Sequence, residues 1–308
     1  MLTRWAGGRD IWLKREDLNG CASSNRHHIV GLILLARRMN KSEIITACGS
    51  TNHGIECATL CATLGMACSI YVGARDALNQ VENIQKIMTM GSTVIRVNNG
   101  GMSLREATGE ALRASTDRFR TSFYRSISAT RPDPYPSIVR TFQSIIGRQA
   151  MRQLNETCGR LPSLVTAPIS DNGTAAGFFY PFLECQSVRL LGVEAFGSAA
   201  LCRGSQGVYG GAFTYVMQDD DGQILPTESL SADMNLPAVG PELAYWAQIG
   251  RLECVSASNE EATEGLRIMQ DTEAIVSSLE SAYAIQKVLS AAQRLDRCEV
   301  ILLLISGP

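Results

Sequence analysis

Short apolar runs alternate with amphipathic stretches along the whole of this 308-residue chain. Runs at 44–47, 68–72, 93–97, 164–167, 190–194 and 300–305 predict buried strands. Between them, the patterns at 29–39, 54–64, 81–90, 104–114, 137–154 and 280–295 predict helices. Strand-then-helix alternation of this kind specifies a parallel sheet covered on both faces, an α/β fold. Residues 207–223 break the rhythm: they are Gly-rich, contain Tyr, and end in Asp219-Asp220-Asp221-Gly222, which predicts a hairpin with an acidic turn. No repeat, low-complexity tract or linker interrupts the series. Ligands of such sheets gather at the carboxyl ends of the strands, which points to residues 48–53, 169–174 and those after Ile305.

Length and composition narrow the class without naming a chemistry. A chain of this size buries one large core or two modest ones. A hydrophobic share of 45% and a charged share of 19% are those of an ordinary globular protein, and a net charge of −2 gives no general attraction to nucleic acid or acidic membranes. No apolar run approaches the roughly 18 residues of a membrane span, and Met1-Leu2-Thr3-Arg4-Trp5 has no signal core, so a cytoplasmic protein is expected. The 10 cysteines form no CxxC pair. Cys57 and Cys61, four apart on one predicted helix among Ala and Leu, read as buried thiols, with neither a disulfide framework nor a metal site expected.

Several segments, in order and at near-constant spacing, resemble the tryptophan synthase β chain. They are Leu13-Lys14-Arg15-Glu16-Asp17-Leu18, Leu34-Leu35-Ala36-Arg37-Arg38-Met39, Lys41-Ser42-Glu43-Ile44-Ile45 and the stretch Gly49 to Gly54. Pro134-Tyr135-Pro136-Ser137-Ile138-Val139-Arg140, Asp221-Gly222-Gln223-Ile224, Pro237-Ala238-Val239-Gly240-Pro241 and Leu279-Glu280-Ser281 continue the series. The resemblance implies a fold-type II pyridoxal-phosphate architecture: two α/β lobes of mostly parallel sheets with the active site between them. It puts the smaller lobe at 24–142, with a mobile subdomain at about 40–127, and the larger at 1–23 plus 143–308. It further implies a homodimer. The family pattern begins some dozens of residues earlier and ends in an Arg-Gly-Asp tail, so partnership with an α subunit is not expected here.

At the site itself the chain departs from the family. The Schiff-base lysine of a His-Lys pair aligns with Asn25 of Ser24-Asn25, and an amide forms no imine with an aldehyde. The phosphate loop Gly-Gly-Gly-Ser-Asn aligns with Ser170-Asp171-Asn172-Gly173-Thr174. Asp171 would set a carboxylate against a dianionic phosphate, a repulsion on the order of 1–4 kcal/mol at a few ångströms. The family's acid/base glutamate aligns with Ala47, and an Arg–Asp pair that closes the lobes aligns with Asn79 and Asn235. These changes lead to the expectation that no cofactor is used.

The candidate site is assembled from what remains. Gly49, Ser50, Thr51 and Asn52 match the turn that binds a substrate carboxylate in the family, where backbone N–H groups do the binding whatever the side chains. His53, His28 and His27, all three histidines of the chain, map to the site; each reads either as a packing residue or as the acid/base replacing lysine and glutamate. Tyr124 is a lesser candidate for the same role. Asn25, Arg26, Arg125, Ser128 and Arg131 are substrate-binding candidates, arginine forks being suited to carboxylates, enolates or phosphates. Glu280 and Ser306 fall where the family contacts or flanks the pyridine ring, and read equally as helix-capping and packing residues. Cys48 reads as a buried thiol or, at a helix start, a nucleophile. A metal is not expected, since adjacent histidines do not converge on one ion.

The sequence therefore predicts a cofactor-independent enzyme on this scaffold, catalysing cyclisation, isomerisation or elimination on a carboxylate-bearing small molecule in specialised, natural-product metabolism. The alternative is a non-catalytic paralogue that binds a ligand or modulates a genuine synthase subunit. An ordinary pyridoxal-phosphate β-replacement lyase ranks third.

Overall fold

The computed structural model describes residues 2–8, 10–19, 25–49, 51–126, 128–171, 173–294 and 299–306. Ser50, among the site candidates, lies outside them. Eleven strands occur among the described residues: β1 (Asp10–Arg15), β2 (Glu43–Ala47), β3 (Ala67–Gly73), β4 (Thr93–Val97), β5 (Ser122–Tyr124), β6 (Leu164–Pro168), β7 (Arg189–Ala195), β8 (Ser205–Tyr209), β9 (Ala212–Val216), β10 (Leu252–Ala257) and β11 (Val300–Ile305). The six strands expected from apolar runs are all present, each within about a residue of its predicted ends. β1, β5 and β10 were not read as runs, because they are partly exposed or, in β5, only three residues long.

The chain divides into two compact units, Met1–Asn25 with Ile127–Pro308, and Arg26–Ser126. The first carries a five-stranded sheet in the order β1-β11-β6-β7-β10, parallel throughout. Its central strand residues are buried on both sides. Ile301, Leu303 and Ile305 of β11 enter one core with Leu191, Val193, Tyr283 and Ile285; Val300, Leu302 and Leu304 enter another with Val165, Phe178 and Trp246. That alternation explains why β11 reads as one continuous apolar run: a strand covered by helices on both faces has no polar side. The helices Tyr135–Cys158 and Leu279–Ala292 contribute to this cover. The lobe boundary implied by the resemblance at 142 falls inside the first of these, and residues 127–142 belong to this unit.

The second unit carries a four-stranded parallel sheet in the order β4-β3-β2-β5. Helices Arg26–Arg38, Thr51–Leu64 and Val81–Thr89 cover one face around Ile33, Ile44, Cys57, Cys61 and Ile70. Helix Leu104–Asp117 covers the other, against Ile45, Tyr71 and Val97, and starts at a capping box formed by Ser103 and Glu106.

The hairpin expected at 207–223 is present, but it turns elsewhere. β8 and β9 pair antiparallel around Gly210-Gly211, both at positive φ (57° and 88°), as a two-residue hairpin turn requires. Asp219–Gly222 makes a second, separate turn, bracketed by an isolated bridge between Gln218 and Ile224. Among the described residues no helix is long and apolar enough to cross a membrane.

Where helix Tyr135–Cys158 meets helix Thr174–Phe179, glycine sets the approach. A β-carbon at Gly177 would lie 2.2 Å from Gln143 Cβ, and one at Gly147 would lie 2.3 Å from the Phe178 carbonyl oxygen. Gly177→Ala should therefore destabilise the protein by about 1–3 kcal/mol, the usual range for overpacking. Gly109→Ala, in helix Leu104–Asp117, meets only Arg113 Nη2 at 3.5 Å and should stabilise by up to about 1 kcal/mol through helix propensity. Urea denaturation of the two variants checks both signs.

Candidate functional site

In the second unit the site grows from the carboxyl ends of two neighbouring strands. β2 ends at Ala47 and leads through Cys48 and Gly49 into helix Thr51–Leu64. That helix begins three residues earlier than expected, so Thr51, Asn52 and His53 form its first turn rather than a loop before it. Their backbone N–H groups are among the first four of the helix, which find no partner within it. The Gly49 carbonyl is already held, accepting a hydrogen bond from Gln80 Nε2 at 2.8 Å.

Beside β2, β5 ends at Tyr124, and Arg125 continues its line. The Arg125 N–H donates to the Ile45 carbonyl at 2.8 Å, and the Thr46 hydroxyl donates to the Arg125 carbonyl at 3.2 Å. The backbone of Arg125 is thus pinned against β2, and its guanidinium reaches the first turn of the helix, where Nη1 donates to His53 Nε2. Arg125 is only 1% exposed, yet its Nε and Nη2 have no hydrogen-bond partner among the described residues. His28, on helix Arg26–Arg38, is fully buried, and neither ring nitrogen has a hydrogen-bond partner among the described residues. His27 and Arg26 on that helix, and Tyr124 on β5, are half-buried.

This is a cationic and strongly desolvated cluster, and it sets the protonation of its members. Burial, with repulsion from Arg125, pushes the His28 imidazole down to about 3. Burial, then Arg125 and His28, hold His53 well below its usual range. The near-neutral pKa on which an acid/base reading of these histidines rests is therefore not what their surroundings give. Cys48 is pushed up to about 12, chiefly by burial, which favours the inert buried thiol over the nucleophile.

The remaining candidates lie in the first unit. Asn25 is buried, and the residues just before it, 20–24, lie outside the described set. After β6, Asp171 accepts hydrogen bonds from the Ser128 hydroxyl at 2.6 Å and the Thr130 hydroxyl at 2.9 Å. The Ala129 N–H also donates to the Asp171 carbonyl at 2.8 Å. Enclosure raises the Asp171 carboxyl above its usual range despite the two hydroxyls, with Asp233 raising it further and Arg131 opposing. Thr130 carries no sequence signal of its own beyond standing two residues from Ser128, in a segment that bends at 129 and 130. Ser306, at the end of β11, is tied to the start of helix Leu279–Ala292 by Ser278 Oγ at 2.7 Å and Ser281 Oγ at 3.2 Å. Ser278 caps that helix and Glu280 occupies its first turn, facing the Ser170 hydroxyl at 3.4 Å.

The burial of His28 has a consequence for stability. An unfolded histidine titrates near 6.5, so between about 6.5 and about 3 the unfolded chain binds a proton that the folded chain refuses. Stability should fall as pH drops through this window, by about 1.4 kcal/mol per pH unit for this group. The raised carboxyls Asp171 and Glu194 act with the opposite sign. Urea titrations at pH 7.0, 5.5 and 4.5 should therefore show a shallower pH dependence in His28→Gln than in the parent.

Comparison with known proteins places the chain. It is 39% identical to tryptophan synthase of Saccharomyces cerevisiae over 99% of its length, spanning 45% of that longer protein. It is 39% identical to the tryptophan synthase beta chain of Methylibium petroleiphilum and 38% to that of Ruegeria pomeroyi, covering 99% of this chain and 76% of each relative. Among solved structures, threonine deaminase isoform 2 of Solanum lycopersicum superposes with a TM-score of 0.75 at 19% identity, over 99% of this chain and 81% of that one. A serine ammonia-lyase of Rhizomucor miehei gives 0.75 at 16% identity, over 99% and 90%. These two support the fold, a fold-type II architecture of mostly parallel α/β sheets. The profile of the family described as pyridoxal-phosphate dependent enzyme matches residues 2–307. This overturns the expectation of a cofactor-independent cyclase, isomerase or eliminating enzyme of natural-product metabolism with no cofactor: the relatives across the full chain belong to pyridoxal-phosphate enzymes. The chain belongs to the pyridoxal-phosphate dependent enzyme family.

Proposed function

We propose that this chain is an enzyme of that family acting on an α-amino acid, whose carboxylate is held by Arg125 and the first turn of helix Thr51–Leu64. The observation that carries this reading is Arg125 itself: a buried guanidinium beside a helix N-terminus, with two nitrogens lacking a hydrogen-bond partner among the described residues. A carboxylate suits both the fork and the positive end of the helix dipole. The names of the relatives support the substrate class, since they concern tryptophan, threonine and serine.

The chain's own residues restrict how pyridoxal phosphate is held. Its lysines are Lys14, Lys41, Lys86 and Lys287, and position 25 is an amide. Lys14 pairs with Glu16 at 3.1 Å and Gln149 at 3.2 Å, Lys287 pairs with Glu261 at 2.6 Å, and Lys41 donates to the carbonyls of Phe119 and Arg120. At 170–174 the Asp171 carboxylate already takes the Ser128 and Thr130 hydroxyls. These residues do not fit a lysine linkage at position 25 or a phosphate resting against Asp171. The chemistry assigned here is accordingly confined to the side chains. A bound carboxylate offsets the charge of Arg125, which is the smaller cause of the lowered His53 and His28 after burial.

The bacterial relatives are named as chains of a synthase, which supports assembly with other subunits; a homodimer is proposed, and a monomeric mass by light scattering at micromolar concentration would count against it.

Calorimetric titration with L-amino acids and their decarboxylated amines, such as serine against ethanolamine, tests the anchor. Amino acids should bind and the amines should not. Arg125→Gln should weaken binding by about 10- to 100-fold, the scale of a charged hydrogen bond. Equal affinity for acid and amine in the parent protein would sink the reading, even if the variant fails to fold.

A further inference from the structure

Outside the substrate anchor, the second unit brings three thiols together. Cys57 and Cys61 stand four residues apart on helix Thr51–Leu64 and so share one face, and Cys68 lies on β3 beneath that face. All three are buried, at 0%, 0% and 4% exposure. Each sulfur lies within 4.8 Å of the other two, and Cys57 Sγ to Cys68 Sγ is 3.9 Å. Three sulfurs about 2.3 Å from a central ion stand about 4 Å apart, so the observed spacing already suits a trigonal ion.

The geometry points to a binding site for a single soft cation, monovalent copper, on Cys57, Cys61 and Cys68. The donor set is all sulfur, which selects soft ions and rejects the hard oxygen-seeking ones. Three sulfurs with no fourth His, Cys, Asp or Glu ligand grouped with them among the described residues suit monovalent copper better than zinc, whose structural sites are four-coordinate. Binding displaces the thiol protons, up to three per ion, and leaves a negative tri-thiolate centre. The buried Arg125 lies close enough for its field to favour the thiolate forms of Cys57 and Cys61. The sequence reading treated Cys57 and Cys61 as packing thiols, because Cys68 joins them only through the pairing of helix and strand. A second group, Glu194, Cys202 and Cys254, lacks this character. The Glu194 carboxylate there is already taken by the Leu201 and Cys202 N–H groups, each at 3.0 Å.

The test is anaerobic competition for copper(I) held by bicinchoninate, using the full chain with its thiols reduced. It is run on native protein and on protein refolded with the complex present, so that slow entry into a closed site is not mistaken for absence. The protein should withdraw one equivalent, release protons, gain a near-ultraviolet thiolate-to-copper band, and show sulfur-only coordination by X-ray absorption. Cys61→Ala and Cys68→Ala should each lower the affinity at least 100-fold, while Cys202→Ser should leave it unchanged. Failure to withdraw copper in either preparation overturns the site. So does nitrogen or oxygen coordination in the parent protein, a readout that does not depend on the variants folding. Loss of binding in Cys202→Ser would move the ion to the other group and equally overturn it.

Discussion

Two-sided burial of parallel strands is the constraint from which the rest of this structure follows. A strand with helices above and below has no face left for polar residues, and its connection to the next parallel strand must cross over through a helix. Each crossover begins at a strand's carboxyl end, so the loops that are free to carry function collect there. Every candidate region obeys this geometry within its own unit. Cys48 and Gly49 follow β2, Arg125 follows β5, Ser170 and Asp171 follow β6, and Ser306 follows β11. The sheets fix these positions through backbone pairing, as the hydrogen bond from Arg125 N–H to the Ile45 carbonyl illustrates.

Burial of charge then differentiates the two groups of residues. In the second unit a guanidinium with two nitrogens unbonded among the described residues depresses two histidines. In the first unit the half-buried Asp171 carboxylate already accepts two hydroxyls at Oδ1. A satisfied anion needs no ligand, whereas an unsatisfied cation gains from one, because a buried donor left unpaired forfeits its hydration without return. That asymmetry is why Arg125, rather than the loop at Asp171, is assigned the substrate's carboxylate.

The family likeness and the local chemistry pull in different directions at a few positions only. Asn25, Ala47 and Asp171 change groups that the wider family uses, while strands, helices and turns along the rest of the chain keep the family's order. Judged one at a time, those positions argued for an abandoned cofactor. Judged with the whole-chain match, they describe an enzyme of a pyridoxal-phosphate family whose site has unusual side chains.

The apolar runs determined by themselves that the fold is α/β with parallel sheets, because period and length of hydrophobic segments depend only on neighbours along the chain. They located six strands and the long helices, and they marked the loops where a site had to be. The hairpin turn was misplaced, since Gly210-Gly211 and Asp219–Gly222 both carry turn chemistry and only strand pairing chooses between them. The protonation of His28 and His53 was hidden for a similar reason: a pKa depends on burial and on Arg125, which lies 97 and 72 residues away in the chain. Cys68 completes the thiol cluster only when β3 packs under the Thr51–Leu64 helix, and Thr130 meets Asp171 only once their two loops are stitched together. Local order is written in the chain; the electrostatics of a site belong to contacts between residues far apart in it, and these exist only in the folded state.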